Sequence, residues 1–313
     1  MRVVIEPRDR LVWAILRLTC AAVLLGGCLS SSPGREPAAS SKFDGRRAYE
    51  HIRELCAIGP RPVDSPGASA ARLYIAQQLA AYGLAVREQA FTADTPLGPM
   101  PMVNLRVAIP SADSSARGRL IIGGHYDTKL FRGFTFVGAN DGGSSTAFLI
   151  ELARVLTERT NPLPIELVFF DGEEAFVEWQ GDDHTYGSRH YVEAARADGS
   201  LADIRAVIVV DMVGDRDLRI RREAASTAWL TDLIWSGAKR ASQPEFVGAE
   251  VSIEDDHVPF LEADVPAALL IDLEYPPWHT ADDQLDKVAA ESLQAVADAL
   301  LTALPDIERQ IGR

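Results

Sequence analysis

Four times along this chain an unbroken run of apolar residues stops at an acid or a histidine. Leu120-Ile121-Ile122 leads through two glycines to His125 and Asp127, and Leu167–Phe170 leads to Glu173 and Glu174. Val207–Val210 ends at Asp211, and Ala267–Ile271 precedes His279. Runs this short and this uniformly apolar read as strands buried on both faces, the signature of a parallel sheet with helices on either side. Amphipathic segments at helical spacing fall between them. The pattern predicts an α/β fold, a three-layer α/β/α sandwich around a mixed, largely parallel central sheet. No repeat or linker interrupts the stretch from Phe43 onward, so residues 43–313 are read as one catalytic domain.

The remaining elements follow from local signals. DGRRAYEHIRELCAIG reads as a helix stopped at Gly59-Pro60, and ASAARLYIAQQLAAYG as a second helix after a turn at Asp64–Gly67. LAVREQAF and MVNLRVAIP read as strands. GANDGGSSTAFLIELARVLTE reads as a loop and long helix with Ser144 or Ser145 near its cap. YGSRHYVEAARADG and DKVAAESLQAVADALLTALPDI are helical, and Trp229 and Trp235 sit six apart on another helix as packing residues.

The N-terminus reads differently. Arg2, Arg8, Arg10 and Arg17 precede an apolar run that ends at Cys28, the layout of an export signal and too short to span a bilayer. Leu25-Gly26-Gly27-Cys28 resembles a bacterial lipobox, which makes residues 1–27 a lipoprotein signal peptide and Cys28 the lipidated residue. Residues 28–42, rich in Ser, Pro and Ala, form a flexible tether. The chain is then exported and lipid-anchored, facing the periplasm or the cell surface, with the membrane as a partner only through its anchor. Of three cysteines only Cys56 falls in the folded domain, so that domain has no disulfide, and Cys56 is read as a buried core thiol. Forty-five acids against 31 Lys and Arg, a net charge of −14, exclude nucleic acid as a partner. Nothing in the pattern signals assembly, and a monomer is the default.

In open α/β sheets ligands bind beyond the carboxyl ends of the strands. That is where His125, Asp127, Glu173, Glu174, Asp211 and His279 fall, with Asp141 in a glycine-rich loop before a helix. Imidazole and carboxylate converging without cysteine is a donor set suited to Zn²⁺. Each residue alone has an ordinary structural use. Their succession, each after an apolar strand, carries the functional reading.

HYD, GANDGG, FFDGEEAF, VVDMVGD and WHT, in this order, resemble the zinc aminopeptidase fold that is shared with animal-type glutaminyl cyclases. DGEEAFVEW, YGSRH, DDHVPFL and PWHTADD narrow the resemblance to the glutaminyl-peptide cyclotransferase branch. The resemblance implies that Asp141, Glu174 and His279 hold a catalytic zinc. It implies further that Glu173 is the general acid/base and that Asp211 and Asp255 are paired carboxylates near the reacting amide. Trp179, Trp278, Tyr275 and His257 are read as substrate-pocket residues, with packing open for Trp278 and loop anchoring open for His257. His125 and Asp127 are possible second-metal or supporting residues, because the two-zinc peptidases use His125 and Asp211 positions for a second ion, so one zinc is expected and two remain open. The implied reaction cyclises the N-terminal Gln of peptides or proteins to pyroglutamate with release of ammonia; the alternative is a zinc-dependent aminopeptidase. Two departures stand out: the loop reads NDGG as in the peptidases, and Tyr275–His279 is one residue short. Lys129 is expected at the surface, and His51, His184 and His190 are expected to be structural or exposed.

Overall fold

The computed structural model describes residues 43–312. The expected signal peptide 1–27, lipidated Cys28 and tether 28–42 lie outside the described residues. Two helices open the fold, α1 (Gly45–Ile58) and α2 (Pro66–Ala81). The Asp44 carboxylate caps α1 by accepting from Arg46 N, and the Ser65 hydroxyl caps α2 by accepting from Ala68 N. With Ser65 as cap and Pro66 in the first turn, the expected turn at 64–67 is largely the start of α2 itself.

A hairpin follows, β1 (Val86–Thr95) and β2 (Gly98–Ile109), longer than the patterning indicated. The chain then alternates through β3 (Arg119–His125), α3 (Gly143–Glu158), β4 (Ile165–Phe170), α4 (Tyr186–Ala197) and β5 (Ile204–Asp211). It continues through β6 (Ile220–Glu223), α5 (Ala228–Ala241), β7 (Phe246–Val251), α6 (Val258–Glu262), β8 (Ala267–Ile271) and α7 (Ala290–Ile311). Six strands form one sheet in the order β1-β2-β4-β3-β5-β8. β4, β3, β5 and β8 run parallel, and the β1–β2 hairpin adds antiparallel to β4. The mixed, mostly parallel sheet is the one expected. The short parallel pair β6–β7 was not legible, since IRRE and FVGAEV lack an apolar run.

Alternation along the central strands builds both faces. Leu120, Ile122, Leu167, Phe169, Ile208, Val210 and Leu270 pack into the larger core with α1, α2, α3, α5 and α7. Ile121, Val168, Phe170, Val207, Val209 and Leu269 face the smaller core, which holds Tyr191 and Val192 of α4 and Phe260 of α6. Trp229 and Trp235 pack against the larger core, as expected. Cys56 is only half-buried there rather than enclosed, and burial raises its thiol to about 11. Among the described residues no helix is long and apolar enough to cross a membrane.

The strand ends position the site. At the end of β3 a Cβ on Gly124 would sit 2.5 Å from Val210 O and 2.8 Å from Ser145 Cβ, so only glycine lets α3 approach this strand. The cap of α3 is Gly142, in left-handed geometry, and not Ser144 or Ser145. Those hydroxyls are used otherwise: Ser145 Oγ and Thr146 Oγ1 donate to His125 O at 2.9 and 3.1 Å, and Ser144 Oγ donates to Asn140 O. They tie the helix start to the strand end that carries His125. Gly124→Ala should therefore destabilise the fold by about 1–3 kcal/mol through overpacking, read as a lower midpoint in thermal unfolding. An unchanged midpoint would show that α3 does not pack this closely.

Candidate active site

Two groups of metal-competent side chains meet at the carboxyl ends of β3, β4, β5 and β8, and they share Asp141. One is Asp141, Glu174 and His279, the other His125, Asp141 and Asp211; in each, the donor atoms lie within 4.8 Å of one another. His279 Nε2 is 3.3 Å from Asp141 Oδ2 and 3.3 Å from Glu174 Oε1. His125 Nε2 is 3.0 Å from Asp211 Oδ1 and 3.3 Å from Asp141 Oδ1. His279 adopts a left-handed backbone with φ 55° and Met212, next to Asp211, one with φ 47°, conformations that cost a non-glycine residue energy and cluster at functional sites.

The electrostatics of this cluster are those of a cation site. Burial pushes the Glu173 carboxyl well above its ordinary value, and Asp255 and Glu174 push it further against the pull of His125. Burial likewise raises Asp255, with Asp211 and Asp256 adding to the rise, and it raises Glu174 and Asp211. Burial alone would lower His279, but the Asp141 and Glu174 carboxylates beside it raise it to about 9. Asp141 Oδ2 and Glu174 Oε2 are buried without a hydrogen-bond donor. Buried acids crowded together, with lone pairs unspent beside an imidazole, fit a divalent ion with mixed N and O ligands. The residues present therefore suit zinc.

Other side chains hold these groups in place. Asp127 Oδ1 and Oδ2 accept from Glu173 N and Glu174 N at 3.2 and 3.4 Å, so Asp127 orients the acidic pair and belongs to neither donor group. Asp283 accepts from Asn140 N at 2.9 Å and from Asp141 N at 3.1 Å, fixing the loop that presents Asp141. Arg61 is fully buried and donates to four carbonyls, those of Gly59, Tyr126, Val137 and Gly138, which binds the loop after β3 to the loop before α3. Phe131 and Phe136 meet the His279 ring edge-on at 5.6 and 5.9 Å. Arg61 and Asp283 were missed in the sequence because neither follows an apolar strand: Arg61 comes just after the helix stop at Gly59-Pro60, and Asp283 closes the PWHTADD stretch, in which only Trp278 and His279 were given roles.

A pocket of about 270 Å³ opens over the cluster, and Glu173, Asp211, Asp255, Trp179 and Trp278 line it. Trp278 stacks on His279 at 4.2 Å, and Trp179 stacks on His184 at 4.3 Å. Both indoles remain partly exposed, at 41% and 38%, as pocket walls require. A larger cleft of about 810 Å³ lies at the amino-terminal ends of the strands, where Arg159 pairs with Glu308, and contains none of these donors.

Two expectations need correction, those for Tyr275 and Lys129, and of the two uses left open for His257 the structure has the loop anchor. His257 is fully buried away from the pocket, its Nε2 3.1 Å from Glu223 Oε2. Glu223 also accepts from Ala225 N, Ser226 N and Ile253 N, so this pair anchors the loop ahead of Asp255. Tyr275 is buried too and donates to Asp283 at 2.8 Å, which makes it a brace for the Asp141 loop and not a pocket wall. Lys129 is not a surface residue: its backbone N donates to Glu174 Oε1 at 3.1 Å, and its Nζ lies 3.5 Å from Glu174 Oε2 and donates to Ala175 O at 2.7 Å. Its position, four residues after the end of β3, placed it beside the site, but a lone lysine carries no pattern. His184 is buried and His51 bonds Tyr74, both structural as expected.

Because Asp283 orients Asp141 through two backbone hydrogen bonds, Asp283→Ala should weaken zinc binding by roughly 10–100-fold while the secondary structure is retained. Competition against a chromophoric chelator measures this. Wild-type affinity in a folded variant would remove Asp283 from the support of the site.

Residues 104–304 match the family described as Peptidase family M28. The glutaminyl-peptide cyclotransferase of Drosophila melanogaster is 32% identical over 263 residues, 74% of this chain and 73% of that protein. A glutaminyl-peptide cyclotransferase-like protein of Bos taurus is also 32% identical, covering 74% of this chain and 67% of that protein. The crystal structure of an Acidobacteriales bacterium glutaminyl cyclase superposes with a TM-score of 0.81 at 37% identity, covering 90% of this chain and 99% of that one. A leucine aminopeptidase precursor from Bacteroides thetaiotaomicron, 24% identical with a TM-score of 0.76 over 84% of this chain and 97% of that one, shares the fold. The chain belongs to peptidase family M28 and, within it, to the glutaminyl-peptide cyclotransferases.

Proposed function

We propose that this chain is a zinc-dependent glutaminyl-peptide cyclotransferase, closing the N-terminal Gln of a peptide or protein into pyroglutamate with loss of ammonia. One observation carries the proposal: a small, tryptophan-walled pocket brings Glu173, Asp211 and Asp255 together beside the donor group Asp141–Glu174–His279. The chemistry needs these parts. The substrate's α-amine attacks its own γ-carboxamide carbon, so a C–N bond forms to that carbon and the bond to the amide nitrogen breaks. Asp141, Glu174 and His279 would hold a zinc ion, which would supply Lewis acidity toward the carboxamide.

The protons are the work of the protein. Glu173, whose burial raises its proton affinity, takes a proton from the attacking amine and returns it to the departing nitrogen, which leaves as ammonia. Asp211 is held by His125 and accepts from Met212 N at 2.8 Å, and Asp255, pushed up by burial and by Asp211, lines the pocket beside it, so the two acids can face the reacting amide. Trp179 and Trp278 exclude water from the reacting carbon and press the Gln side chain toward its ring-closing conformer. That arrangement favours internal attack over hydrolysis. The shared Asp141 and the NDGG loop are the features that favour the aminopeptidase alternative, in which water would be the nucleophile.

The N-terminal signal and the Leu25–Cys28 lipobox support placement outside the cytoplasm on a lipid anchor at Cys28. A tether of Ser, Pro and Ala would hold the catalytic domain clear of the membrane, where exported N-termini pass.

Purified protein incubated with a Gln-tipped peptide should yield a product lighter by one ammonia, with equimolar ammonia in solution. Free Gln or Leu released from peptide substrates, without ring closure, would establish the peptidase instead. Glu173→Gln should lower kcat by roughly 10²–10⁴-fold and keep its zinc; loss of the metal from that variant would make Glu173 a ligand and overturn its role.

A further inference from the structure

Beyond the donor groups and the three acids, one more carboxylate lines the pocket, and the chemistry of ring closure does not use it. Glu254 precedes Asp255 but differs from it in every physical respect. Asp255 is 2% exposed and faces the acid cluster, whereas the Glu254 side chain is 53% exposed at the pocket edge. Its Oε2 accepts from Trp179 Nε1 at 3.1 Å, and His184 Nε2 lies 3.7 Å from the same oxygen. The Trp179 and His184 rings are stacked nearly parallel, at 6° and 4.3 Å, so the carboxylate is held by a rigid pair. Burial keeps His184 below its ordinary value, hence uncharged at neutral pH. Among the described residues no Lys or Arg lies within ion-pair distance of Glu254. Arg189 of α4 is committed to Asp182 and to His184 O.

The pocket has room for one residue's side chain, about 270 Å³, so whatever follows the N-terminal Gln must lie across its rim. That rim offers the partly exposed apolar faces of Trp179, Trp278 and Leu273 together with one unneutralised carboxylate. A side chain with a long apolar stem and a cationic end matches both parts: the stem lies on the indole face and the charge meets Glu254. We infer that Glu254 is a specificity residue that selects substrates with Lys or Arg immediately after the N-terminal Gln, and disfavours Asp or Glu there. The inference rests on the cyclotransferase reading and narrows its substrate class.

The test is kcat/KM of the zinc-loaded enzyme on Gln-Lys-Ala, Gln-Ala-Ala and Gln-Glu-Ala amides, at low and high salt. Replacing an attractive by a repulsive charge at a partly screened surface site predicts about a tenfold preference for Lys over Glu at low salt, shrinking as salt rises. Glu254→Gln keeps an acceptor for the Trp179 indole and should bring the two peptides within about twofold. Glu254→Lys should invert the order. A preference of the same size in wild type and both variants would assign it to the net charge of the whole chain and overturn the inference, as would equal rates on all three peptides in wild type. Cyclisation of none of them would be a different failure, that of the cyclotransferase reading itself, and would take this inference with it.

Discussion

Everything at the mouth of this sheet depends on the mutual repulsion of buried carboxylates. Asp141, Glu173, Glu174, Asp211 and Asp255 converge in buried positions, and among the described residues His125, His279, Lys129 and the buried Arg61 bring positive charge near. Burying even one ionised acid is costly, and five together persist only if protons or a cation answer the charge. The upward displacement of Glu173, Glu174, Asp211 and Asp255 expresses that strain on the protonic side. A divalent ion held by Asp141, Glu174 and His279 would relieve it on the other.

The fold is arranged to sustain this crowding. Four parallel strands deliver their carboxyl ends to one place, and the polar loops beyond them are fixed from behind. Asp127 reads the backbone of the Glu173–Glu174 turn, Asp283 reads that of the Asp141 loop, and the buried Arg61 closes both loops with carbonyl contacts. Tyr275 and His257 serve the same end at one further remove, through Asp283 and Glu223. Such support keeps donor atoms in place without adding to the reacting surface, which is how a small displacement of catalytic groups is prevented.

Much of this was legible before any coordinates. The parallel strands announce themselves because they are buried on both faces, so LIIGG, IELVFF, AVIVV and AALLI can hardly be anything else. The residues that follow them are then polar in a place where burial penalises polarity, and that contradiction is what marks Glu173, Glu174, Asp211 and His279, while Asp141 is marked by the glycine-rich loop that opens α3. The supporting residues carry no such mark. Arg61 makes its contacts to carbonyls, which have no identity in sequence, and Lys129 and Asp283 reach the site through loop geometry alone. Strands β6 and β7 were invisible for the opposite reason: they are short and half-exposed, and their pairing is tertiary. His257 and Tyr275 sat in motifs that flank the pocket, and motif adjacency did not distinguish a wall from the brace behind it.

The same framework serves hydrolysis and cyclisation, and the difference lies in what Asp141 shares. His125, Asp141 and Asp211 could hold a second ion beside the first, and two ions there would supply the activation of water that a peptidase needs. With Asp211 engaged by His125 and only Asp141, Glu174 and His279 holding metal, the pocket keeps its acids free to handle the substrate's own amine. Metal content of the purified chain, measured by elemental analysis in wild type and in His125→Ala, tests this directly. The cyclase account predicts about one zinc per chain in both proteins; two per chain in wild type, falling to one in His125→Ala, would contradict it.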